Sequence, residues 1–279
     1  MILVFGKNGQ ISRELEKFDN VITLDRSQAD LNDAETCVQV IRLYRPKAVI
    51  NAAAYTNVDN AEKEKDYAMQ INGITPGIIA KACAELKIPF VYISSDYVFE
   101  GSGNMPWKTS DQTNPLNVYG YTKVKGENLV IASGADYAVL RTSWVVSGHG
   151  KNFVKTMLQL SETKNSINVV SDQIGGPTFA RDIALVCLDI IDQIIIDPKK
   201  SGIYHYSGTP NINWCEFANI IFEMAKKETV ANPILSNDYP TLAKRPLNSC
   251  LDCNKTFDVF GISRPDWQVS LKYCLEELE

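Results

Sequence analysis

The sequence predicts an α/β protein, a doubly wound parallel sheet with a smaller, irregular substrate-binding domain. Short apolar runs alternate with amphipathic helical stretches through the first half of the chain. These runs are apolar almost throughout, as strands buried on both faces are, rather than alternately apolar and polar. The first run ends in a glycine turn that leads straight into a helix, the place where this architecture holds phosphate.

In chain order, Ile2–Phe5, Val21–Leu24, Ala48–Ile50, Phe90–Ile93 and Ala138–Leu140 read as strands, with helices over 10–18, 34–45, 65–87 and 120–133 between them. Right-handed crossovers would bring the strand C-termini to one edge, where ligands bind. The second half is less regular. A helix is expected over 151–163, a polar Gly-rich turn over Ser171–Pro177, and a long apolar helix over 179–196. Ile203–Tyr206 reads as a strand and 214–227 as an amphipathic helix. Beyond 231 the sequence reads as loop-rich, punctuated by Pro233, Pro240, Pro246 and Pro265. The expected division is a dinucleotide-binding domain over 1–165 and a substrate-binding domain over 166–279, with the strand near 203–207 returning to the first domain's sheet.

Composition narrows the function. The chain has 279 residues, 45% apolar and 22% charged, with a formal net charge of −5 and no cluster of Lys and Arg. No nucleic-acid partner is expected, because none of the surface reads as a basic face. No apolar run is long enough to span a membrane, and the first residues carry no basic leader, so no signal peptide and a cytoplasmic location are expected. Seven Cys without framework spacing predict reduced thiols. Cys250 and Cys253 form a lone C-x-x-C, and with only His149 and His205 in the chain they read as structural rather than as a zinc site.

The first strand ends Gly6-Lys7-Asn8-Gly9-Gln10-Ile11-Ser12. Glycines here would let the backbone approach a pyrophosphate, held by the free N–H groups of the helix start. The spacing is G-x-x-G, and the motif alone is also that of an ordinary tight turn. Asp25, at the end of the second strand, suits an adenosine ribose, whereas Arg26 beside it suits a 2′-phosphate or a surface ion pair. NADH and NADPH thus both stay open. Asp30-Leu31 would border the adenine, and Asn51-Ala52-Ala53-Ala54 offers small residues where a dinucleotide would lie.

Tyr-x-x-x-Lys occurs twice, at Tyr119/Lys123 and Tyr121/Lys125. Among 12 tyrosines the motif is cheap, and the two pairs face different ways on one helix, so at most one faces a cofactor. The chemistry that wants such a pair is hydride reduction of a carbonyl. An acid must protonate the developing alkoxide, and an ammonium nearby would lower the phenol's pKa from about 10. Ser94-Ser95-Asp96, at the end of the fourth strand, supplies a hydroxyl for the substrate oxygen. Glycine turn, serine and Tyr/Lys helix, in that order, point to an oxidoreductase acting on a carbonyl/alcohol pair with a nicotinamide cofactor.

Further segments extend the pattern: Phe5-Gly-Lys-Asn-Gly-Gln10, Ser94-Ser-Asp-Tyr-Val-Phe99, Pro115-Leu-Asn-Val-Tyr-Gly120, Arg141-Thr-Ser-Trp-Val145, Asn152-Phe-Val-Lys-Thr-Met157, Asp172-Gln173, Gly176-Pro-Thr178, Gly202-Ile-Tyr-His205 and Arg245-Pro246. In these the chain resembles the extended short-chain dehydrogenase/reductases, a Rossmann-fold superfamily, and among them the dTDP-4-dehydrorhamnose reductases. The resemblance implies NADPH- or NADH-dependent reduction of the C4 keto group of dTDP-4-dehydro-6-deoxy-L-mannose to dTDP-L-rhamnose, for cell-surface polysaccharide synthesis. It implies that the tyrosine after Pro115-Leu-Asn-Val, Tyr119, is the acid, with Lys123 as its partner and Ser95 in place of the family's threonine.

By the same match Gly6, Gly9, Gln10, Ile11, Asp25, Arg26, Asp30, Leu31, Ala53, Ala54, Tyr55, Tyr119 and Lys123 would bind cofactor. Ser95, Asp96, Trp144, Thr56, Val58, Tyr97, Asn152 and Arg245 would bind the nucleotide sugar. Ser12 stands where a third glycine is usual, a small change. Some members form a magnesium-bridged dimer through acidic side chains. Glu14 matches one such position, but Ala180-Arg181-Asp182 leaves the acidic pattern incomplete, so no metal is expected, and monomer and homodimer both stay open.

Two other readings compete. A related nucleotide-sugar reductase, epimerase or dehydratase shares the fold, but a dehydratase wants an acid after Asp96 and the chain has Tyr97. A non-catalytic relative, the regulatory subunit of methionine adenosyltransferase, would not need the intact Ser95, Tyr119 and Lys123.

Overall fold

A computed structural model describes residues 1–278. Strands β1 (Ile2–Phe5), β2 (Val21–Leu24), β3 (Ala48–Asn51), β4 (Phe90–Ser95) and β5 (Tyr137–Thr142) follow in chain order, and Gly202–His205 joins them as a sixth. The sheet order is Gly202–His205, β5, β4, β3, β1, β2, with every pair parallel. All expected strands form, β3, β4 and β5 each reaching further than their most apolar stretch. The late strand pairs with β5 through Gly202↔Ala138 to His205↔Arg141, returning to the sheet as expected.

Helices cover both faces, which explains why the strands are apolar throughout. On one face Gln10–Leu15 and Ala180–Ile196 pack over Ile2, Val4, Ile50 and Leu140. On the other, Ala34–Tyr44, Thr75–Leu86 and Val118–Ile131 accompany a core of Leu3, Phe5, Val49 and Phe90. Leu3, Val4 and Phe5 are fully buried, and each such side chain contributes roughly 1.5–3 kcal/mol by leaving water. Strand order reverses between β1 and β3, and the crevice at that switch point is where doubly wound sheets bind ligands.

The remaining residues build a smaller core of Phe217, Phe222, Trp267 and Leu271 with Val146 and Val154. Two expectations fail here. The tail is less loop-rich than expected: it holds helices Asn254–Phe260 and Trp267–Glu276. Pro265 sits just ahead of the Asp266 cap of the second, so it marks a helix start rather than a break. The helix expected over 65–87 is three pieces, Lys65–Met69, a π turn at Gln70–Ile74, and Thr75–Leu86. Cys250 and Cys253 are buried, and all seven cysteines are free thiols. Among the described residues no helix is long and apolar enough to cross a membrane.

Candidate active site

A cleft of about 650 Å³ opens at the C-terminal edge of the sheet, across the switch point. The turn after β1 forms its floor. Gly6 has φ +102, and a Cβ there would fall 2.8 Å from Ala53 Cα, so only glycine lets the turn lie this close to the end of β3. Gly9 stands at the N-terminus of Gln10–Leu15, and no side chain caps that helix start. The turn is a cradle that a Cβ would fill, with unpaired N–H groups beside it, and it fits a pyrophosphate.

The helix Val118–Ile131 settles the choice between the two Tyr/Lys pairs. Asn117 caps it by accepting from Gly120 N at 2.8 Å. That register turns Tyr119 and Lys123 into the cleft and leaves Tyr121 60% exposed, with Lys125 in solvent as well. Lys123 is 1% exposed; its Nζ donates to Ile93 O at 2.6 Å and lies 4.1 Å from the centre of the Tyr92 ring. Burial lowers its pKa to about 7, and Glu127 one turn on resists that fall.

Tyr119 does not behave as expected. Burial pushes its pKa up to about 12, the Ser95 hydroxyl pulls it partly back, and the Asp96 carboxylate adds to the rise. The residue keeps some exposure along the cleft, but its hydroxyl sits among dense neighbours. With its own pKa lowered to about 7, Lys123 loses its charge well before Tyr119 would ionise, and so it does not lower the phenol's value. In this state Tyr119 is a firmly protonated phenol, the form that an acid needs before it donates.

Beneath these residues lies a buried ion pair. Arg141 binds Glu127 through two hydrogen bonds of 2.9 and 2.6 Å, both residues 2% exposed, and Ser94 Oγ donates to Glu127 at 2.6 Å. The pair joins β5 to the Tyr/Lys helix and fixes the depth at which Lys123 sits. Ser94→Ala takes one donor from this buried carboxylate. We expect a loss of roughly 2 kcal/mol, read as a lower urea midpoint, with turnover largely kept.

Asp96 is 4% exposed, its Oδ1 accepts from Ser95 Oγ at 3.0 Å, and its Oδ2 has no hydrogen-bond partner. Burial raises its pKa to about 6, with Ser249 and Ser95 softening the rise. The folded value lies above the ordinary 3.8, so above pH 6 the folded state carries a costly buried charge, and that cost lifts as pH falls from 6 towards 3.8. Asp96→Asn should therefore raise stability at pH 8 by on the order of 2 kcal/mol, the gain fading as pH falls from 6 towards 3.8 in denaturation curves taken across that range.

Most of the expected site residues meet in the cleft. Gly6, Gly9, Gln10, Ile11, Asp25, Arg26, Ala53, Ala54, Thr56, Val58, Ser95, Asp96, Tyr97, Tyr119, Lys123, Trp144 and Asn152 all line it. Four expected residues do not. Asp30 is tied to Arg26 at 2.8 Å, and Leu31 is 5% exposed within the core. The Tyr55 hydroxyl bonds Glu64. Arg245 grips Asp59 at 2.7 and 3.2 Å, linking the smaller core to the sheet. Arg26 also donates to Tyr67 Oη at 2.5 Å, and Asp25 accepts from Ser27 and Gln28. The sequence reading missed Lys151, Thr142 and Trp214 as lining residues. Only Trp214, directly after the capping Asn213, carried a local signal of its position.

Outside the cleft, Glu14, His149 and Glu277 bring ligand-type atoms within 4.8 Å of one another. The Lys17 ammonium already lies between the carboxylates, 2.7 Å from Glu14 and 3.2 Å from Glu277, and these contacts raise its pKa, the bond to Glu14 most. Arg181 lies over the Tyr273 ring on the same surface. A divalent cation would have to displace the protein's own ammonium, so this donor set does not fit one.

Residues 1–279 match the family model described as RmlD substrate binding domain. The chain is 42% identical to a dTDP-4-dehydrorhamnose reductase of Aggregatibacter actinomycetemcomitans, over 97% of each chain. It is 38% identical to that of Escherichia coli (strain K12), over 99% of this chain and 97% of that one. The structure of a dTDP-4-dehydrorhamnose reductase from Bacillus anthracis str. Ames in complex with NADP superposes with a TM-score of 0.92 at 34% identity, covering 99% and 98% of the two chains. The enzyme WbmH of Bordetella bronchiseptica in complex with NAD+, 18% identical, shares the fold at a TM-score of 0.79, covering 99% of this chain and 97% of that one.

Proposed function

Because the chain belongs to the RmlD substrate binding domain family, we propose that it is an NADPH- or NADH-dependent reductase that converts dTDP-4-dehydro-6-deoxy-L-mannose to dTDP-L-rhamnose. The observation that carries this reading is the meeting of Ser95, Tyr119 and Lys123 in one cleft with the glycine cradle of Gly6 and Gly9. The bound nicotinamide supplies the hydride. Ser95 turns its one O–H from Asp96 Oδ1 to the C4 oxygen and holds it beside Tyr119. Tyr119, kept protonated by burial, gives its proton to that oxygen as charge develops there. Lys123, kept charged beside an anionic cofactor, would stabilise the phenolate left behind and would hold the nicotinamide ribose. Gly6, Gly9 and the start of Gln10–Leu15 receive the pyrophosphate. Asp96, Trp144, Tyr97 and Asn152 surround the sugar end of the cleft. The protein works as a cytoplasmic enzyme supplying an activated deoxy sugar for surface polysaccharide.

The test is direct. Purified protein with dTDP-4-dehydro-6-deoxy-L-mannose and either cofactor should consume one cofactor per sugar reduced, followed by nicotinamide absorbance and sugar analysis. Folded protein that oxidises neither cofactor would overturn the proposal.

A further inference from the structure

Trp214 lies face to face with Trp144 at the wall of the cleft, ring centroids 3.5 Å apart and planes 10° from parallel. The two indoles come from distant parts of the chain. Trp144 follows β5 of the central sheet, and Trp214 opens the helix Trp214–Met224 of the smaller core. Trp144 holds φ +49, a left-handed conformation that a bulky side chain keeps only when its surroundings impose it. Its ring needs the space left by Gly175, where a Cβ would fall 2.7 Å from the indole. Its other constraint is Trp214, which is braced by Phe153 at 4.5 Å and by the Asn213 cap of its own helix. Among the described residues neither indole N–H donates to a protein acceptor, unlike those of Trp107 and Trp267.

We propose that Trp214 is a positioning residue for sugar binding. It holds the Trp144 indole across the cleft, as a flat apolar surface on which a hexose can lay its C–H face. The inference rests on the reading of the cleft as a nucleotide-sugar site, and it adds a residue that acts through Trp144.

Trp214→Ala should raise KM for the dTDP-sugar about tenfold, with kcat and the cofactor KM within about twofold of wild type. Trp214→Phe keeps a ring over Trp144 and should bring the sugar KM back to within about threefold of wild type. If Trp214→Ala does not fold, Trp214→Leu keeps the bulk without the flat face and carries the same expectation. An unchanged sugar KM in a wild-type-like background overturns the inference. Equal rises in sugar and cofactor KM also overturn it, because they mark general loosening. Wild-type protein that turns over no dTDP-sugar instead defeats the functional reading and this inference with it, whereas turnover with an unmoved sugar KM defeats the inference alone.

Discussion

Tyr119→Phe is expected to lower kcat by about 10³-fold while leaving the cofactor Kd within about twofold. The substitution removes one oxygen and keeps the ring, which packs edge-on against Tyr97 with centroids 5.6 Å apart. Folding should therefore survive. What is lost is the proton that neutralises the new alkoxide, and Ser95 cannot replace it, since an aliphatic hydroxyl is a far weaker acid than a phenol and can only hydrogen-bond that oxygen. Burial holds Tyr119 near a pKa of 12, so its acid form should persist across the working range and kcat should show no Tyr119 titration below about pH 10. Single-turnover reduction, measured from pH 6 to 10 in wild type and variant, reads both expectations. Turnover by Tyr119→Phe at the wild-type rate would remove Tyr119 from the chemistry.

Lys123→Met should cost about 10³-fold in kcat/KM and, unlike Tyr119→Phe, should weaken cofactor binding as well. Lys123 is buried with its pKa lowered to about 7, so without cofactor it loses its proton as pH rises through 7. An anionic cofactor favours the ammonium and raises that pKa. Binding above pH 7 must then take up a proton, and affinity should fall as pH rises, approaching tenfold per unit. Titrating the cofactor at several pH values in wild type and Lys123→Met tests this, and the slope should vanish in the variant. The folded state of wild type also gains stability relative to the unfolded chain between pH 7 and 10.5, where only the unfolded lysine keeps its proton.

The central sheet was legible because its strands are buried on both faces. Ile2–Phe5 and Val21–Leu24 could be read to the residue. The tail was not legible, because Pro265 reads equally well as a break and as the approach to the helix Trp267–Glu276, and only packing against Phe217 decides. At the site, the sequence placed the glycine turn, Ser95 and the Tyr/Lys helix, but bare spacing left Tyr119 and Tyr121 equivalent. The Asn117 cap sets the register that separates them. The ionisation of Tyr119 was misjudged, since proximity to Lys123 in sequence says nothing of the burial that raises the phenol's pKa and lowers the lysine's own. Asp30, Leu31, Tyr55 and Arg245 sit near the cleft in sequence terms, yet their side chains are engaged by partners of their own or by the core. Trp214 escaped notice because a tryptophan at a helix start is ordinary core material until Trp144 is found stacked upon it.

The central claim is that this cleft delivers hydride to C4 of the nucleotide-linked sugar while Tyr119 supplies the proton. Reduction of dTDP-4-dehydro-6-deoxy-L-mannose with NADPH deuterated at the transferring position of the nicotinamide, read by NMR of the product, tests it most directly. Deuterium is expected at C4 of a rhamnosyl product and at none of its neighbours. Deuterium at any other carbon, or a product without deuterium, would contradict it.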